Sequence, residues 1–329
     1  MNLRIFRIVG AAAFIVVAGV AAGAEAWREE AIEAPGPQGP LQGTLLTPSG
    51  QSSSSAIVLI VPGSGPTDRH GNGPQGLQAD TYRLLAGGLA ARGIATVRID
   101  KRGMFGSASA LRDPNDVTIR DYAHDVRQWV ASIREHTKAN CVWVMGHSEG
   151  GIVALLADQD SPGMCGLILA AVPGRPLGQL LKEQLQANPA NAPLLDQAFR
   201  AITSLEAGQR VEMATLHPAL RPLFRPAVQG FLIDSFAIDP ARLVTSARGP
   251  ILILQGSRDL QVGIGDARRL HAAAPRAKLV VLPAVNHVLK TVASDDRVAN
   301  IESYGRADLA LASGVVDAIA DFIATSPTR

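Results

Sequence analysis

The segment 146–151, with the sequence GHSEGG, constrains this chain more than any other. It follows an apolar, β-prone run at 141–145 and precedes a helical run at 152–157. A strand, a G-x-S-x-G turn and a helix in this order are typical of a nucleophile elbow, which projects a serine hydroxyl from the end of a sheet. The elbow needs small residues because strand and helix backbones approach closely there. We therefore predict that Ser148 is a nucleophile, the alternative being a glycine-rich turn without chemistry.

The two neighbours of Ser148 have separate expected roles. His147 adjoins the serine, but adjacent side chains near a strand end point to opposite sides. We expect His147 to pack against flanking structure. The backbone N–H of Glu149 is expected to face the position of an oxyanion, as it does for the residue after such a serine.

A serine nucleophile needs a base, which enzymes with this motif carry after the serine and after an acid. Four of the seven histidines precede or adjoin Ser148 and fall outside this order: His70, His124, His136 and His147. His217 and His271 lie in helical patterns. His287 follows the strand-like run 278–282, and active residues of open α/β sheets gather at the carboxyl ends of strands. We predict that His287 is the base, the alternative being a solvated loop histidine.

The acid should lie in a similar place. The continuous apolar run 251–256 predicts a buried parallel strand, and Asp259 follows its end. Some enzymes take the acid from the preceding strand, but the turn at 173–176 carries no carboxylate. Asp259 is therefore the predicted partner of the histidine. Asp295 and Asp296 are the fallback, although they follow the histidine and break the expected order.

Composition excludes several other classes of protein. The 329 residues are 47% hydrophobic and 18% charged, which suits a globular protein with a large core. The net charge is +2 without a basic or acidic block, so no binding to nucleic acid is expected. Because the sequence has no Walker A loop, metal-spaced Cys/His cluster or dinucleotide fingerprint, we expect no cofactor and no metal.

The N-terminus is typical of a secretion signal. Arg4 and Arg7 precede the uncharged apolar stretch 8–22, and A-x-A cleavage sequences occupy 22–24 and 24–26. We predict a signal peptide at 1–24 and a periplasmic or secreted mature protein without stable membrane association. An uncleaved anchor helix is the alternative.

Export affects the interpretation of the two cysteines. Cys141 and Cys165 open two consecutive predicted strands, which should be parallel neighbours. Both thiols would then lie at the edge of the sheet opposite to the predicted site. An oxidising compartment permits a disulfide between them, and two buried free thiols are the alternative.

Apolar strand patterns alternate with helical patterns through 41–172 and again through 247–329, which predicts one α/β core with a mostly parallel, doubly wound sheet. We expect 29–40 to be a polar lead-in and 41–47 an early edge strand. Between the two halves, 173–246 shows helical spacing interrupted by prolines and no strand pattern. We interpret this segment as a helical cap inserted over the strand ends.

With these features, the chain resembles the α/β-hydrolase superfamily and, within it, bacterial carboxylesterases that carry a P-G-S-G-P-x-D-R block. That block is matched in full at 62–69, and further blocks match at 100–103, 146–151, 255–259 and 286–287. The resemblance runs from about Leu41 to the C-terminus and is weakest in the cap. His70 departs from the family, in which aspartate is commoner at this position.

The resemblance implies an α/β-hydrolase fold and a second oxyanion donor, the backbone N–H of Ser64, in the loop after an early strand. Asp68 and Arg69 are expected to pair and brace this loop, with contact between Arg69 and substrate as the alternative. Asp100 and Arg102 are expected to support the neighbouring strand-end loop.

Together these features predict a serine hydrolase that cleaves small-molecule carboxylic esters. Ser148, His287 and Asp259 would form the catalytic triad of an acyl-enzyme mechanism. A peptidase, thioesterase or acyltransferase would use the same triad, and a catalytically dead binding protein would keep only the fold. The sequence gives no indication of the oligomeric state.

Overall fold

Most strands of this computed structural model come from the apolar runs of the sequence. The structure describes residues 27–50, 56–111, 113, 116–294 and 296–327, so the predicted signal peptide at 1–24 lies outside the described residues. One sheet contains strands β1 (Trp27–Ala34), β2 (Leu41–Pro48), β3 (Ile57–Val61), β4 (Ala95–Ile99), β5 (Val142–His147), β6 (Met164–Ala170), β7 (Ile251–Gly256) and β8 (Lys278–Leu282).

The sheet has the order β1-β2-β4-β3-β5-β6-β7-β8. Strand β2 pairs antiparallel with β1 and β4, whereas every other neighbouring pair is parallel. After β3 the chain places β4 on one side of that strand, and from β5 onward it adds strands on the other side. Ligands of open α/β sheets bind at such a change of direction. The predicted mostly parallel sheet is confirmed, and Ser148 directly follows β5 at this point.

The beginning of the sheet differs from the prediction. Residues 29–40 were expected to be a lead-in and 41–47 an edge strand, but β1 forms the edge and β2 lies inside the sheet. In β1 only Ile32 and Ala34 are buried. The sequence signal is weak because most β1 side chains face solvent and carry charges, which is how edge strands often avoid further pairing.

Helices cover both faces of the sheet. They are α1 (Thr81–Ala91), α2 (Ile119–Thr137), α3 (Glu149–Asp158), α4 (Leu177–Gln186), α5 (Leu195–Glu206), α6 (Pro226–Phe236), α7 (Pro240–Val244), α8 (Ile264–Ala273), α9 (Arg297–Glu302) and α10 (Val315–Thr325). Alternate β3 residues point to opposite faces. Leu59 belongs to the core that contains α2, α3 and α8, and Ile60 to the core that contains α1 and α10. Among the described residues, no helix is long and apolar enough to cross a membrane.

The predicted cap segment is helical. Helices α4, α5 and α6 lie between β6 and β7 and pack around an apolar cluster of their own, which includes Ile202, Leu205 and Phe224. The last helix of the segment, α7, packs instead against α3 and α8, and its Val244 belongs to the main core. The cap is therefore formed by α4 to α6.

The two cysteines form a disulfide. Cys141 directly precedes β5 and Cys165 lies near the start of β6, which pairs in parallel with β5. The bridge therefore joins the two strands at their amino ends, and Ser148 lies beyond the other end of β5.

Candidate active site

Ser148 lies in the tight turn between β5 and α3. Its φ of 55° and ψ of −125° place a residue with a Cβ in a region that costs free energy. Two hydrogen bonds hold this conformation: the Ser148 N–H donates to Ala170 O at 2.9 Å, and the Ser148 carbonyl accepts from Gly151 N at 2.9 Å. The strained backbone is thus fixed by the neighbouring strand and by the first turn of α3.

Close packing explains the glycines of this turn. A Cβ on Gly146 would lie 2.3 Å from the Gly150 carbonyl oxygen, and a Cβ on Gly150 would lie 2.4 Å from the Val61 carbonyl oxygen. Neither backbone atom can move without disturbing β3 or the turn itself. Side chains are therefore excluded at both positions, as expected for a turn of this kind.

His287 and Asp259 form a buried pair next to this turn. The distance from His287 Nδ1 to Asp259 Oδ2 is 2.8 Å. The other carboxylate oxygen accepts from the N–H groups of Gln261 at 2.8 Å and Val262 at 2.9 Å. Burial alone would raise the pKa of Asp259, but the imidazole and the backbone donors outweigh it and lower the pKa below its usual range. Asp259 is thus held as a carboxylate facing the imidazole.

The fallback acids lie elsewhere. The Asp296 carboxylate accepts from Val298 N at 2.9 Å and caps α9, and its side chain is exposed. Asp295 lies outside the described residues. Of the acids considered, the structure brings Asp259 to the histidine.

Ser148 and His287 line the same cavity, which has a volume of about 330 Å³. Among the described residues, no hydrogen bond joins the Ser148 hydroxyl to the imidazole. Hydrogen bonds of this type often tighten only when substrate binds. The structure therefore brings Ser148 and His287 to one cavity, and we expect substrate binding to bring the hydroxyl and the imidazole into contact.

His147 lies in a hydrogen-bonded chain behind the turn. Its Nε2 is 2.9 Å from the His287 carbonyl oxygen and its Nδ1 is 2.9 Å from the Tyr82 hydroxyl. The same hydroxyl accepts from Gly63 N at 3.1 Å. Burial, with a contribution from nearby His287, lowers the pKa of His147 to about 3. His147 is therefore neutral near pH 7 and packs against flanking structure, as expected, and it also lines the cavity that contains Ser148 and His287.

The hydrogen-bond partners determine which atom donates and which accepts at each step of this hydrogen-bonded series. A carbonyl oxygen only accepts, so His147 Nε2 carries the hydrogen and Nδ1 accepts from Tyr82. The Tyr82 oxygen then accepts from the Gly63 N–H, and burial raises the pKa of Tyr82, which keeps the hydroxyl protonated. The chain thus connects the loop after β3 to the backbone of His287.

The loop after β3 faces the serine directly. A Cβ on Gly63 would lie 3.2 Å from Ser148 Cβ. The buried ammonium of Lys101 donates to the Gly63 carbonyl at 2.6 Å and lies 3.7 Å from the Glu149 carboxylate. Burial lowers the pKa of Lys101, and nearby Glu149 opposes this effect. One ammonium therefore contacts Gly63, which precedes Ser64, and Glu149, which follows the serine.

The loop is braced, but by a different ion pair from the expected one. Arg69 binds Asp100, with its Nε 2.9 Å and its Nη2 2.5 Å from Oδ2 of that carboxylate. Asp68 instead accepts hydrogen bonds from the backbone N–H groups of His70 and Asn72. The expected Asp68–Arg69 pair is therefore wrong. The Arg69 side chain instead reaches the end of β4, where it binds Asp100.

Arg102 supports the neighbouring loop, as expected. Its Nε and Nη2 each lie 2.6 Å from a carboxylate oxygen of Asp125 on α2. This two-bond ion pair is buried and fixes the loop after β4 to the helix layer.

Sequence reasoning missed Lys101 and Tyr82. Lys101 stands in the block 100–103, directly after an apolar strand, where a basic residue marks a candidate for the strand-end site. Tyr82 offered no such signal, because its partner His147 is 65 residues away in the chain. In the part of the chain that the structure describes, no group of three or more His, Cys, Asp or Glu side chains could hold a metal ion.

Solved structures with the same fold include the esterase Pf2001 of Pyrococcus furiosus, at 15% identity and a TM-score of 0.56, covering 91% of each chain. Est1E from Butyrivibrio proteoclasticus with bound ferulic acid matches at 15% identity and a TM-score of 0.55, covering 89% of this chain and 98% of that one. A proline iminopeptidase-related protein from Thermus thermophilus matches at 19% identity and a TM-score of 0.54, covering 90% of this chain and 98% of that one. These identities show a shared fold alone.

The search of curated protein sequences finds no match to this chain. The model of the Alpha/beta hydrolase family matches residues 58–301, which is more than half of the chain and includes the turn with Ser148 and both residues of the His287–Asp259 pair. On this match, and with the sheet and turn described above, the chain belongs to the α/β-hydrolase family.

Proposed function

We propose that the protein is an exported serine hydrolase that cleaves small-molecule carboxylic esters. The observation that carries the proposal is the buried His287–Asp259 pair, whose histidine lines the same cavity as the strained Ser148. Esterase activity in a structural neighbour of the same fold, Pf2001, adds support.

In the first step of the proposed reaction, Ser148 Oγ attacks the ester carbonyl carbon while its proton passes to His287 Nε2. Asp259 holds the other ring nitrogen and stabilises the imidazolium. The oxyanion is bound by the N–H groups of Ser64 and Glu149. Removal of one such donor typically lowers the rate by about 10²–10³-fold.

In the second step, the tetrahedral intermediate collapses and the imidazolium returns its proton to the leaving alkoxide. The acyl group stays on Ser148. Water then attacks this acyl-enzyme, again with His287 as the base, and releases the carboxylic acid.

A peptidase, thioesterase or acyltransferase with the same triad is the second candidate, because the fold does not separate these activities. One observation favours esters over peptides with a free amino terminus. Of the described residues that line the cavities at Ser148, Glu149 alone has a carboxylate, and Lys101 already neutralises it. A carboxylate free to bind an ammonium group is not among these lining residues.

We propose export because the sequence predicts a signal peptide, and the disulfide supports this proposal. Bonds such as Cys141–Cys165 persist in oxidising compartments and are rare in the cytosol of most organisms. Cleavage after either A-x-A sequence, at 22–24 or 24–26, would leave strand β1, Trp27–Ala34, intact.

The test uses the protein without residues 1–24, with p-nitrophenyl butyrate as substrate and a fluorophosphonate as serine probe. The unsubstituted protein should hydrolyse the ester and take the probe. Ser148→Ala and His287→Ala should abolish turnover, and Ser148→Ala should also lose labelling. Ser109→Ala, at an exposed serine, is the matched control and should behave as the unsubstituted protein.

Labelling without ester turnover would shift the assignment to one of the other acyl-transfer activities. Absence of both would show a binding protein without catalysis and would overturn the proposal.

A further inference from the structure

Ser148 lies where two cavities meet. The cap-side cavity, under α4 and α6, has a volume of about 590 Å³, and the histidine-side cavity has a volume of about 330 Å³. Both are lined by Ser148 and by Ser64, the residue proposed to bind the oxyanion. An ester carbonyl at Ser148 would therefore have one substituent in each cavity.

The position of His287 determines which substituent enters which cavity. His287 lines the histidine-side cavity and is not among the residues that line the cap-side cavity. When the intermediate collapses, the C–O bond to the alcohol breaks and the proton on His287 Nε2 passes to the departing oxygen. The alcohol must therefore leave from the histidine side, and the acyl chain must extend to the cap side.

The cap-side cavity is suited to an apolar chain. Its walls are mainly apolar, and most of the apolar side chains belong to the cap, among them Leu177, Leu181, Leu223, Phe231 and Leu232. The charged groups that line it are already bound within the protein: Lys101 to Gly63 O and Glu149, and Arg102 to Asp125. Its volume lies within the range of sites that enclose small organic ligands.

The histidine-side cavity is smaller and more polar. Polar side chains that line it and not the cap-side cavity include Thr67, Thr81 and Tyr304, and its titratable lining residues are Tyr82, Tyr304, His147 and His287. No Lys, Arg, Asp or Glu is among the described residues that line this cavity, so it lacks a charge to bind an ionic leaving group. A short neutral alcohol fits these walls.

We propose that the substrates are esters of apolar fatty acids of medium or greater chain length with short neutral alcohols. The acyl chain lies under the cap and the alcohol lies beside His287. This inference rests on the proposed serine esterase function. In the reaction, the bond between Ser148 Oγ and the acyl carbon forms, and the bond from that carbon to the alkoxy oxygen breaks. The alcohol departs through the histidine-side cavity while the acyl chain stays under the cap.

Two isomeric esters test this arrangement. Ethyl octanoate and octyl acetate contain the same atoms, but the long chain lies on the acyl side in one and on the alcohol side in the other. We expect kcat/KM for ethyl octanoate to exceed that for octyl acetate by about tenfold or more, because only the acyl chain reaches the apolar cavity. The rates are measured by alkali uptake at constant pH, below the solubility limit of each ester.

A pair of variants tests independently whether the acyl chain lies in the cap-side cavity. Ala227 on α6 is partly buried and lines the cap-side cavity, whereas Ala237, just after α6, is exposed and lines neither cavity. Ala227→Trp should lower kcat/KM for p-nitrophenyl octanoate by about tenfold and change the value for p-nitrophenyl acetate by less than about twofold. The matched control Ala237→Trp should leave both values unchanged.

The outcomes separate this inference from the proposed function. If both isomers were hydrolysed and kcat/KM for octyl acetate equalled or exceeded that for ethyl octanoate, the proposed arrangement would be overturned. The esterase proposal would still stand. Equal loss of octanoate and acetate turnover in Ala227→Trp, with fluorophosphonate labelling intact, would also overturn it. Absence of turnover with every ester and of labelling would refute the proposed function itself.

Discussion

Lys101 Nζ donates to the carbonyl oxygen of Gly63, and this carbonyl belongs to the same peptide group as the N–H of Ser64. In a trans peptide the N–H and C=O point in opposite directions, so a cation on the oxygen orients the N–H away from itself. The ammonium also polarises the peptide group and strengthens the N–H as a donor. The same ammonium lies 3.7 Å from the side-chain carboxylate of Glu149, so it links the peptide group of one proposed oxyanion donor to the residue that carries the other.

Loss of this ammonium should therefore weaken transition-state binding more than substrate binding. We expect Lys101→Met to lower kcat about ten- to hundredfold with little change in KM, less than the loss of a whole donor. Lys101→Arg, which retains the cation, should recover part of the rate. Rates are expressed per active site, counted by fluorophosphonate titration, so that misfolded protein does not contribute.

The double variant Lys101→Met/Glu149→Gln removes the buried carboxylate that would otherwise lose its partner. It should regain thermal stability while kcat stays low. Lys182→Met, at a cap lysine that pairs with Glu206, is the matched control and should keep the normal kcat. A normal kcat per titrated site in Lys101→Met would show that the ammonium has only a structural role.

Asp259→Asn should lower kcat by about 10⁴-fold, because the amide favours the wrong tautomer of His287. Asp296→Asn is the matched control. It replaces one capping residue of α9 by another and should keep near-normal activity. Steady-state rates with p-nitrophenyl butyrate decide the assignment. If Asp296→Asn lost activity and Asp259→Asn kept it, the acid would instead lie after the histidine in the sequence.

His147 should make stability depend on pH. Its pKa is lowered to about 3 in the fold, so the unfolded chain, with a pKa near 6.5, binds the proton first as the pH falls. The stabilisation is therefore complete above pH 6.5 and is lost toward pH 3, by up to about 1.4 kcal/mol per pH unit.

Urea unfolding at several pH values between 5 and 6.5, a range above the usual carboxylate pKa values, measures this slope. In His147→Gln the slope should become flatter, whereas His217→Gln, at an exposed cap histidine, should keep it. An unchanged slope in the His147 variant would assign the proton uptake to another group.

The disulfide should contribute stability without affecting catalysis. Cys141 and Cys165 are 24 residues apart, for which the chain-entropy model gives about 3 to 4 kcal/mol. The double variant Cys141→Ser/Cys165→Ser should melt about five degrees lower, judged from the unfolding entropy of a chain of this size. Its kcat should be normal because the bridge lies at the amino ends of the strands. A large fall in kcat would contradict this separation.

Export predicts a shortened protein in the native cell. Mass measurement of the mature chain should give a start at Glu25 or Trp27, after one of the two A-x-A sequences. An intact Met1 on membrane-bound protein would establish the anchor helix instead.

The positions of Ser148, Asp259 and His287 were predictable because each follows the end of an apolar strand, and the order of strands determines what meets at the sheet edge. The partners of Arg69 and Tyr82 were not, since they depend on contacts between segments distant in the chain. Arg69 was expected to bind adjacent Asp68, yet its side chain reaches Asp100. Contacts of this kind follow from packing and have no local pattern.

Helices α4 to α6 pack around their own apolar cluster. The groups that orient His287, Asp259 and His147 belong instead to the α/β part of the fold, outside the cap. If the acyl chain lies under the cap as proposed, natural variation in the cap can change which acyl chain is accepted while the chemical step stays the same. Selection for a new substrate would act first on cap residues such as Leu181 and Phe231. Residues of the glycine-rich turn would tolerate almost no change over the same evolutionary time.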